Sequence, residues 1–281
     1  MDLGPGARAR GRVNASLLVG GAIVAVIVLV ALVSFVWTPY DPTRVYAEAR
    51  LQAPSGQHWL GTDKLGRDVL SQIMVGSRTT LYVGIVAVGV AALVGVPLGI
   101  LAGMGPRWVG ELVMRANDLL LAFPALLLAI MFAAVYGGST LVAMIAIGIA
   151  SIPGFARLVR SGTLQVRQTE YVLAARAAGR RPLGIALRHV LPNVAGLVIV
   201  QASVGFAIAV LAEAALSFLG FGTPPPTPSW GRMLQESQEL LWDAPRLAFV
   251  PGVAIALAVL GFNLLGDGLR DYLDPRLEDR R

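Results

Sequence analysis

The sequence contains no cysteine, a single lysine and few charged residues, and each shortage excludes a class of protein. Without cysteine, the chain has neither a disulfide framework nor a thiolate for catalysis or metal binding. Its only two histidines, His58 and His189, are far apart in the chain, so we expect no metal site. Charged residues make up 14% of the 281 residues, which is too few for the surface of an ordinary soluble domain.

The single lysine excludes the commonest nucleotide-binding loop. That loop requires Gly-Lys followed by Ser or Thr, whereas Lys64 lies between Asp63 and Leu65. We therefore expect that this chain binds neither ATP nor any other cofactor. The net charge of +6 comes from arginines that flank apolar segments and do not alternate with aromatic residues. This distribution favours a membrane surface and argues against nucleic acid as a partner.

Apolar residues, in contrast, make up 56% of the chain and fall into long runs. A helix needs about 20 such residues to cross roughly 30 Å of hydrocarbon. The first run is too long for the apolar core of a signal peptide and is expected to remain as a helix. The predicted fold class is an all-α integral membrane protein with six transmembrane helices, at residues 17–37, 81–104, 119–137, 139–156, 193–212 and 247–266.

The arginines between these runs predict the orientation of the chain. Cytoplasmic connections carry an excess of basic residues, and placing the N-terminus inside puts most of the 23 basic residues on the inner side. Both termini are therefore expected in the cytoplasm. The expected segments are a cytoplasmic tail at 1–16, an outer segment at 38–80, an inner loop at 157–190, an outer loop at 213–246 and a cytoplasmic tail at 267–281.

No charged residue lies in the middle of any predicted span. Asp118, Glu213 and Asp267 lie at span ends, whereas ion-coupled carriers usually place ionisable groups at mid-membrane. We therefore predict a pore-forming or scaffold subunit that receives its energy from a partner. The alternative is a stand-alone channel or an ion-coupled secondary transporter.

The most basic stretch is YVLAARAAGRRPLGIALRHVLPN at residues 171–193. Its apolar residues have helical spacing on both sides of Gly179: Val172, Ala175 and Ala178 before it, and Leu183, Ala186, Leu187 and Val190 after it. Gly179 suits a left-handed helix end, and Pro182 suits the first turn of the next helix. The pattern predicts two short amphipathic helices, which either dock in a partner's groove or lie on anionic lipid.

This stretch resembles the cytoplasmic loop by which bacterial ABC importer permeases dock on their ATPase subunits. The family pattern is Glu-Ala-Ala, three residues, Gly, nine residues, an aliphatic residue, one residue and Leu-Pro. Leu173 takes the place of the Glu, and His189 takes that of the aliphatic residue. The resemblance implies an ATPase-coupling loop that contains Ala174, Ala175, Gly179, Arg180, Arg181, His189, Leu191 and Pro192.

Three further stretches resemble the peptide branch of these permeases, in its second-permease (C-type) form: residues 58–81, 213–234 and 274–277. The resemblance implies the type I ABC importer permease fold, with a five-helix transmembrane core at 81–266. It also implies a heterodimer with a second homologous permease, two ATPase subunits that bind ATP and Mg, and an extracytoplasmic solute-binding protein. The implied cargo is a dipeptide or oligopeptide that crosses the cytoplasmic (inner) membrane; near relatives carry nickel or glutathione.

The remaining patterns concern packing and the outer surface. Residues 58–78 mix apolar and charged side chains with a spacing that predicts an amphipathic helix at the outer interface. The proline-rich residues 223–230 predict a stiff, extended segment. Gly95, Gly99 and Gly103 recur at every fourth position, so we expect them to bring a neighbouring helix backbone close.

The missing P-loop lysine generates a first prediction. Purified alone, the chain is expected to bind no ATP above background in equilibrium dialysis with labelled nucleotide. A purified ABC ATPase serves as the positive control. Saturable ATP binding by the isolated chain would contradict the prediction that a partner supplies the energy.

Overall fold

The computed structural model describes residues 14–273, and within that range the regular structure is almost entirely helical. The long helices are α1 (Ala15–Val36), α2 (Val69–Met104), α3 (Arg107–Leu121), α4 (Ala125–Tyr136), α5 (Thr140–Val166), α8 (Leu191–Phe218) and α10 (Arg246–Leu273). Between them lie the shorter helices α6 (Glu170–Ala177), α7 (Pro182–Ile185) and α9 (Trp230–Ser237). The expected motif at 274–277 and most of the tail at 1–16 lie outside the described residues.

Five of the described helices are long and apolar enough to cross a membrane, and the bent pair α3–α4 makes up to six. The predicted all-α membrane architecture is therefore confirmed. The helices are longer than the predicted spans, because the polar residues at their ends continue the helix instead of ending it. α5, for example, continues to Val166, and α10 includes residues 267–273 of the expected tail.

The expected third span at 119–137 is not one straight helix. α3 ends at Leu121, α4 begins at Ala125, and the two helices are bent by 79°. Pro124 explains the break, because a proline disfavours helical backbone at the preceding residue and has no N–H to donate. α4 has 12 residues, a length of about 18 Å, which is too short to cross the hydrocarbon alone.

The expected amphipathic helix at 58–78 is also not a separate element. Residues 58–68 fold without helix, and α2 begins at Val69, well before the predicted start at 81. The Asp68 carboxylate caps α2 by accepting a hydrogen bond from the Ser71 backbone N–H at 2.8 Å. Gly66 has a φ of +78°, a left-handed conformation that a continuous α-helix across residues 58–78 could not contain.

α2 and α5 pack against each other through the glycines at every fourth position. A Cβ on Gly95 would lie 2.6 Å from Phe155 Cβ, and one on Gly103 would lie 2.6 Å from Thr163 Cβ. On the turn between them, Gly99 faces the backbone oxygen of Ala156. Only hydrogen fits on this face of α2, so the two backbones approach closely.

α1 and α10 form a second close pair, which the sequence analysis did not predict. A Cβ on Gly261 would lie 2.6 Å from Ile23, and one on Gly268 would meet the backbone of Leu17. Gly20 of α1 faces the backbone of Leu265 in the same way. α1 is therefore packed along α10, while α8 lies between α10 and the α2–α5 pair.

The close α2–α5 contact generates a second prediction. Gly99→Ala is expected to lower the free energy of unfolding by about 1–3 kcal/mol, because the new Cβ would lie 2.7 Å from a helix backbone oxygen that cannot move aside. The measurement is the thermal unfolding midpoint of the detergent-purified protein. Gly89→Ala is the matched control, since it lies on the same helix and its Cβ would meet no atom within 4 Å. Equal midpoints for the two variants would contradict the packing.

Candidate coupling site

The inner loop is built around a tight helix end at Gly179. α6 ends at Ala177, and Gly179 follows with a φ of +74°. The Gly179 N–H donates to the Arg176 carbonyl at 2.9 Å, and the Arg180 N–H donates to the Ala175 carbonyl at 3.1 Å. This pair of bonds is a Schellman motif, which satisfies the last carbonyls of the helix. Gly179 therefore has the left-handed conformation that its position predicts.

The second half of the loop differs from the expected short helix. α7 begins at Pro182 and continues through a π-helical turn at Ala186–Val190 into α8, so that one helical rod of 37 residues reaches Phe218. Pro192 lies inside this rod, where its missing N–H leaves one helical hydrogen bond unmade. The wider π turn just before it accommodates this gap.

Buried valines and an isoleucine anchor the loop to the inner ends of the long helices. Val172 of α6 and Val190 are fully buried. They pack with Ile185, with Val159 of α5 and with Val194 of α8, against partly buried side chains of α2. α6 and α7 are therefore held firmly against three long helices.

The predicted apolar face of the second half is divided in the structure. Ala186 and Val190 are buried, whereas Leu183 and Leu187 are 70% and 58% exposed. Ile185, which does not belong to the predicted apolar face, is buried instead. Ile185 packs with Val159 of α5 and Val194 of α8, and periodicity alone does not reveal such partners.

The exposed side of the loop brings most of the expected coupling residues together. Ala174, Arg180 and Arg181 are exposed around the Gly179 turn, and Ala175 is half-buried. Leu191 and Pro192 are exposed three turns further along the rod. Within residues 14–273, no ion pair involves Arg180 or Arg181. The loop therefore presents an apolar and cationic surface that suits an acidic or apolar groove.

The two departures from the family pattern have different surroundings. Leu173, at the Glu position, is 51% exposed. His189 is half-buried, and its ring centroid lies 5.9 Å from that of Tyr171. The imidazole thus packs between α6 and the π turn, where an aliphatic side chain would fill similar space.

A polar network on the opposite side of the molecule was not predicted. Arg67 Nε donates to Asp63 Oδ2 at 2.6 Å, Gln72 donates to the same oxygen at 3.0 Å, and Arg67 also pairs with Glu236 of α9. Burial alone would lower the pKa of Arg67, but the two carboxylates outweigh it and raise this pKa above its ordinary value. The network ties residues 58–72 to α9. The charge cluster in TDKLGRD was the sequence signal for it.

These features define a class of protein: a helical membrane protein with a structured α6–α7 loop, a braced segment between α1 and α2, and no P-loop lysine in its sequence. Residues 95–279 match the family described as binding-protein-dependent transport system inner membrane component. The chain belongs to this family of importer permeases.

Curated relatives cover nearly the whole chain. It is 43% identical over 265 residues to the dipeptide transport system permease protein DppC of Alkalihalophilus pseudofirmus, with 94% of this chain and 87% of the relative covered. It is also 43% identical to the glutathione transport system permease protein GsiD of Pectobacterium atrosepticum, with 92% and 86% covered. Because these relatives are permeases of the peptide branch, the chain is a transport subunit and not an enzyme.

A solved structure shows the same fold. A chain from the inward-facing MetNI methionine ABC transporter matches with a TM-score of 0.61 and 18% identity. The match covers 72% of this chain and 97% of that chain. The expected type I importer permease fold is therefore confirmed.

The buried network generates a third prediction. Arg67→Ala leaves the buried Asp63 carboxylate without its counter-charge, whereas Glu236 keeps its ion pair with Arg232. We therefore expect a loss of about 3–5 kcal/mol in unfolding free energy, mainly from Asp63. The thermal unfolding midpoint of the purified protein measures it. Arg107→Ala is the control, because it removes an ion pair of the same spacing whose arginine is 94% exposed, and it is expected to leave the midpoint unchanged. An unchanged unfolding midpoint for Arg67→Ala would contradict a stabilising role for the Arg67 network.

Proposed function

We propose that this chain is the second, C-type permease of a bacterial importer for dipeptides or oligopeptides. In this proposal it pairs with a homologous permease, two ABC ATPases bind below, and a solute-binding protein delivers the peptide from above. The names of the dipeptide and glutathione permeases support a peptide cargo. The observation that carries the proposal is the rigidly anchored Gly179 turn with its exposed, cationic outer side.

The proposed orientation places both termini, the α6–α7 loop and the inner ends of α2, α5 and α8 in the cytoplasm. Its support is the concentration of arginines in the segments on that side. The Arg67 network and α9 then lie outside, where a solute-binding protein approaches. The membrane is the cytoplasmic membrane, which is the inner membrane in a bacterium with two.

The proposed coupling transmits motion through packed helices. ATP and Mg bind to the ATPase subunits, whose closure moves the α6–α7 loop. Because Val172 and Ile185 are buried against the inner ends of the long helices, α6 cannot shift without moving its neighbours. The continuous rod from Pro182 to Phe218 carries the motion across the membrane, and the path opens outward to accept a peptide.

The rival function, an ion-coupled carrier, would use an ionisable group inside a span. Glu213 is the buried carboxylate of α8. It accepts hydrogen bonds from Ser217 Oγ at 2.6 Å and from Thr223 Oγ1 at 3.2 Å. These contacts tie the end of α8 to the loop that follows it, which favours a structural role over ion transport.

The Gly179 turn generates the fourth prediction, which tests the proposed function. A Cβ on Gly179 would meet no atom within 4 Å, so Gly179→Val acts only through backbone strain of about 1–3 kcal/mol. We expect normal membrane insertion, reduced co-purification of the ATPase and loss of growth on a dipeptide as sole amino-acid source. Gly184→Val is the matched control, since Gly184 has equal space and lies in α7.

A second variant separates protein docking from lipid binding. If the loop lies on anionic lipid, charge matters more than shape, and Arg180→Gln with Arg181→Gln is the damaging change. If it docks on an ATPase, Gly179→Val is the more damaging one. A Gly179→Val permease that retains its ATPase and supports peptide-dependent growth would rule out the docking role.

A further inference from the structure

One face of α5 is polar, whereas the exposed faces of α1 and α2 are apolar. Gly154, Arg157, Ser161 and Gln165 are its exposed residues over the second half of the helix. Their spacing of three and four residues places them in a single row, which we call the polar stripe. Lipid-facing positions of α1 and α2, in contrast, carry side chains such as Leu29 and Leu93.

Part of the polar stripe lies at the depth of the hydrocarbon. A helix that begins at the outer boundary crosses about 30 Å of hydrocarbon in roughly 20 residues. α5 begins at Thr140, so Gly154 and Arg157 lie within this depth and Gln165 lies beyond it. A guanidinium facing hydrocarbon is costly, and such a group usually faces a water-filled cavity or a protein partner.

The stripe lies between two other helices. On one side, Arg157 Nη2 donates to Asp118 Oδ1 of α3 at 2.6 Å, and both side chains are about half exposed, at 50% and 48%. On the other side, the amide nitrogen of Gln201 in α8 lies 3.3 Å from where a Cβ on Gly154 would be. Polar groups from three helices therefore converge here.

Towards the start of α5, α4 takes the place of α3 and packs closely with α5 and α8. Met144 and Ile147 of α5 are buried with Ala129 of α4 and with Ala209 and Leu216 of α8. Thr140 also donates a hydrogen bond to Thr223 at 3.3 Å. The region is thus apolar and sealed at its outer end and polar and exposed at its inner end.

The charge around the ion pair is positive. Arg160 lies one turn beyond Arg157 and approaches Gly110 of α3, while Arg115 is exposed on α3. Within residues 14–273, neither forms an ion pair. The arginines around Asp118 therefore leave a net positive charge, which attracts a carboxylate.

We propose that the polar stripe lines the water-filled inner half of the solute path, and that the Asp118–Arg157 pair contacts the terminal charges of the peptide. This inference rests on the proposed function. A free peptide carries a carboxylate and an ammonium group at neutral pH. Arg157 has further N–H donors for the carboxylate, and Asp118 accepts from the ammonium group. Because the pair is half exposed, water weakens it, and the charges of a passing solute can exchange with it.

Cysteine accessibility tests the water-filled path, and the cysteine-free chain makes it direct. Gly154→Cys is introduced into the assembled transporter in inside-out vesicles and treated with a charged, impermeant thiol reagent. Leu93→Cys is the control, because Leu93 is 78% exposed and Gly95, two residues on, packs against Phe155 at the same depth. Since a thiol reacts as thiolate where water reaches it, Gly154→Cys is expected to react about tenfold faster. Equally slow reaction of both would overturn the proposal.

Protection by a dipeptide tests the contact with terminal charges. Alanylalanine is expected to slow modification of Gly154→Cys about threefold at millimolar concentration, whereas its C-terminal amide is not, because it has no carboxylate for Arg157. Arg157→Gln should abolish the protection and Arg157→Lys should retain part of it. Equal protection by the dipeptide and its amide would overturn the assignment of Arg157.

Comparing thiol labelling in vesicles with dipeptide uptake by whole cells tests this inference separately from the proposed function. Dipeptide uptake by whole cells that carry Gly154→Cys is measured in parallel. Normal uptake without faster labelling or protection would refute the polar stripe as the path and leave the importer function standing. Absence of dipeptide uptake in the unmodified transporter would refute the proposed function itself.

Discussion

The close approach of α2 and α5 is the contact on which the remaining architecture depends. Hydrophobicity does not hold two helices together in lipid, so association relies on packing over small residues. Gly95 and its repeats supply that packing by removing side chains from one face of α2. α5 is thereby held in place, with its outer half sealed by α4 and α8 and its polar stripe exposed. The inner ends of both helices then form the surface on which Val172 is buried.

The inner loop shows how a short element becomes mechanically connected to a membrane domain. α6 has only eight residues and would be unstable by itself, since short isolated helices are marginal in water. Its buried valine and the Schellman hydrogen bonds at Gly179 compensate for this. The helix that follows the turn begins at Pro182 and is continuous with α8. The exposed turn at Gly179 therefore lies directly before a rod that reaches Phe218.

The end of the protein that contains α9 is organised by a different interaction. There, buried ion pairs and hydrogen bonds join residues 58–72 to α9, and Trp230 donates to the Ile73 carbonyl at 3.0 Å. Such groups are costly to bury unless each has a partner, and Asp63 satisfies several donors at once. The two ends of the protein thus differ in the kind of interaction that holds them together. The α6–α7 loop is anchored by valines and α9 by charges.

The sequence alone determined what depends on neighbours along the chain. Long apolar runs required membrane helices, Pro182 was expected in the first turn of a helix, and the spacing around Gly179 predicted a left-handed helix end; the structure contains both. These features arise from hydrocarbon thickness, proline sterics and glycine conformation, all of which are local. The coupling-loop residues were recognised through a family pattern, and their role stays a prediction.

Only the tertiary structure decided which residues meet across the chain. The choice of Ile185 over Leu183 for burial, the pairing of Arg67 with Glu236 and the alignment of Asp118 with Arg157 each join residues far apart in sequence or depend on a groove between helices. Residues 58–78 had amphipathic spacing, yet residues 58–68 form an irregular loop ahead of α2, in which Arg67 pairs with the distant Glu236. Periodicity reports which side of a helix is apolar, but it carries no information about the helix that will cover that side, because the covering helix is chosen by three-dimensional packing.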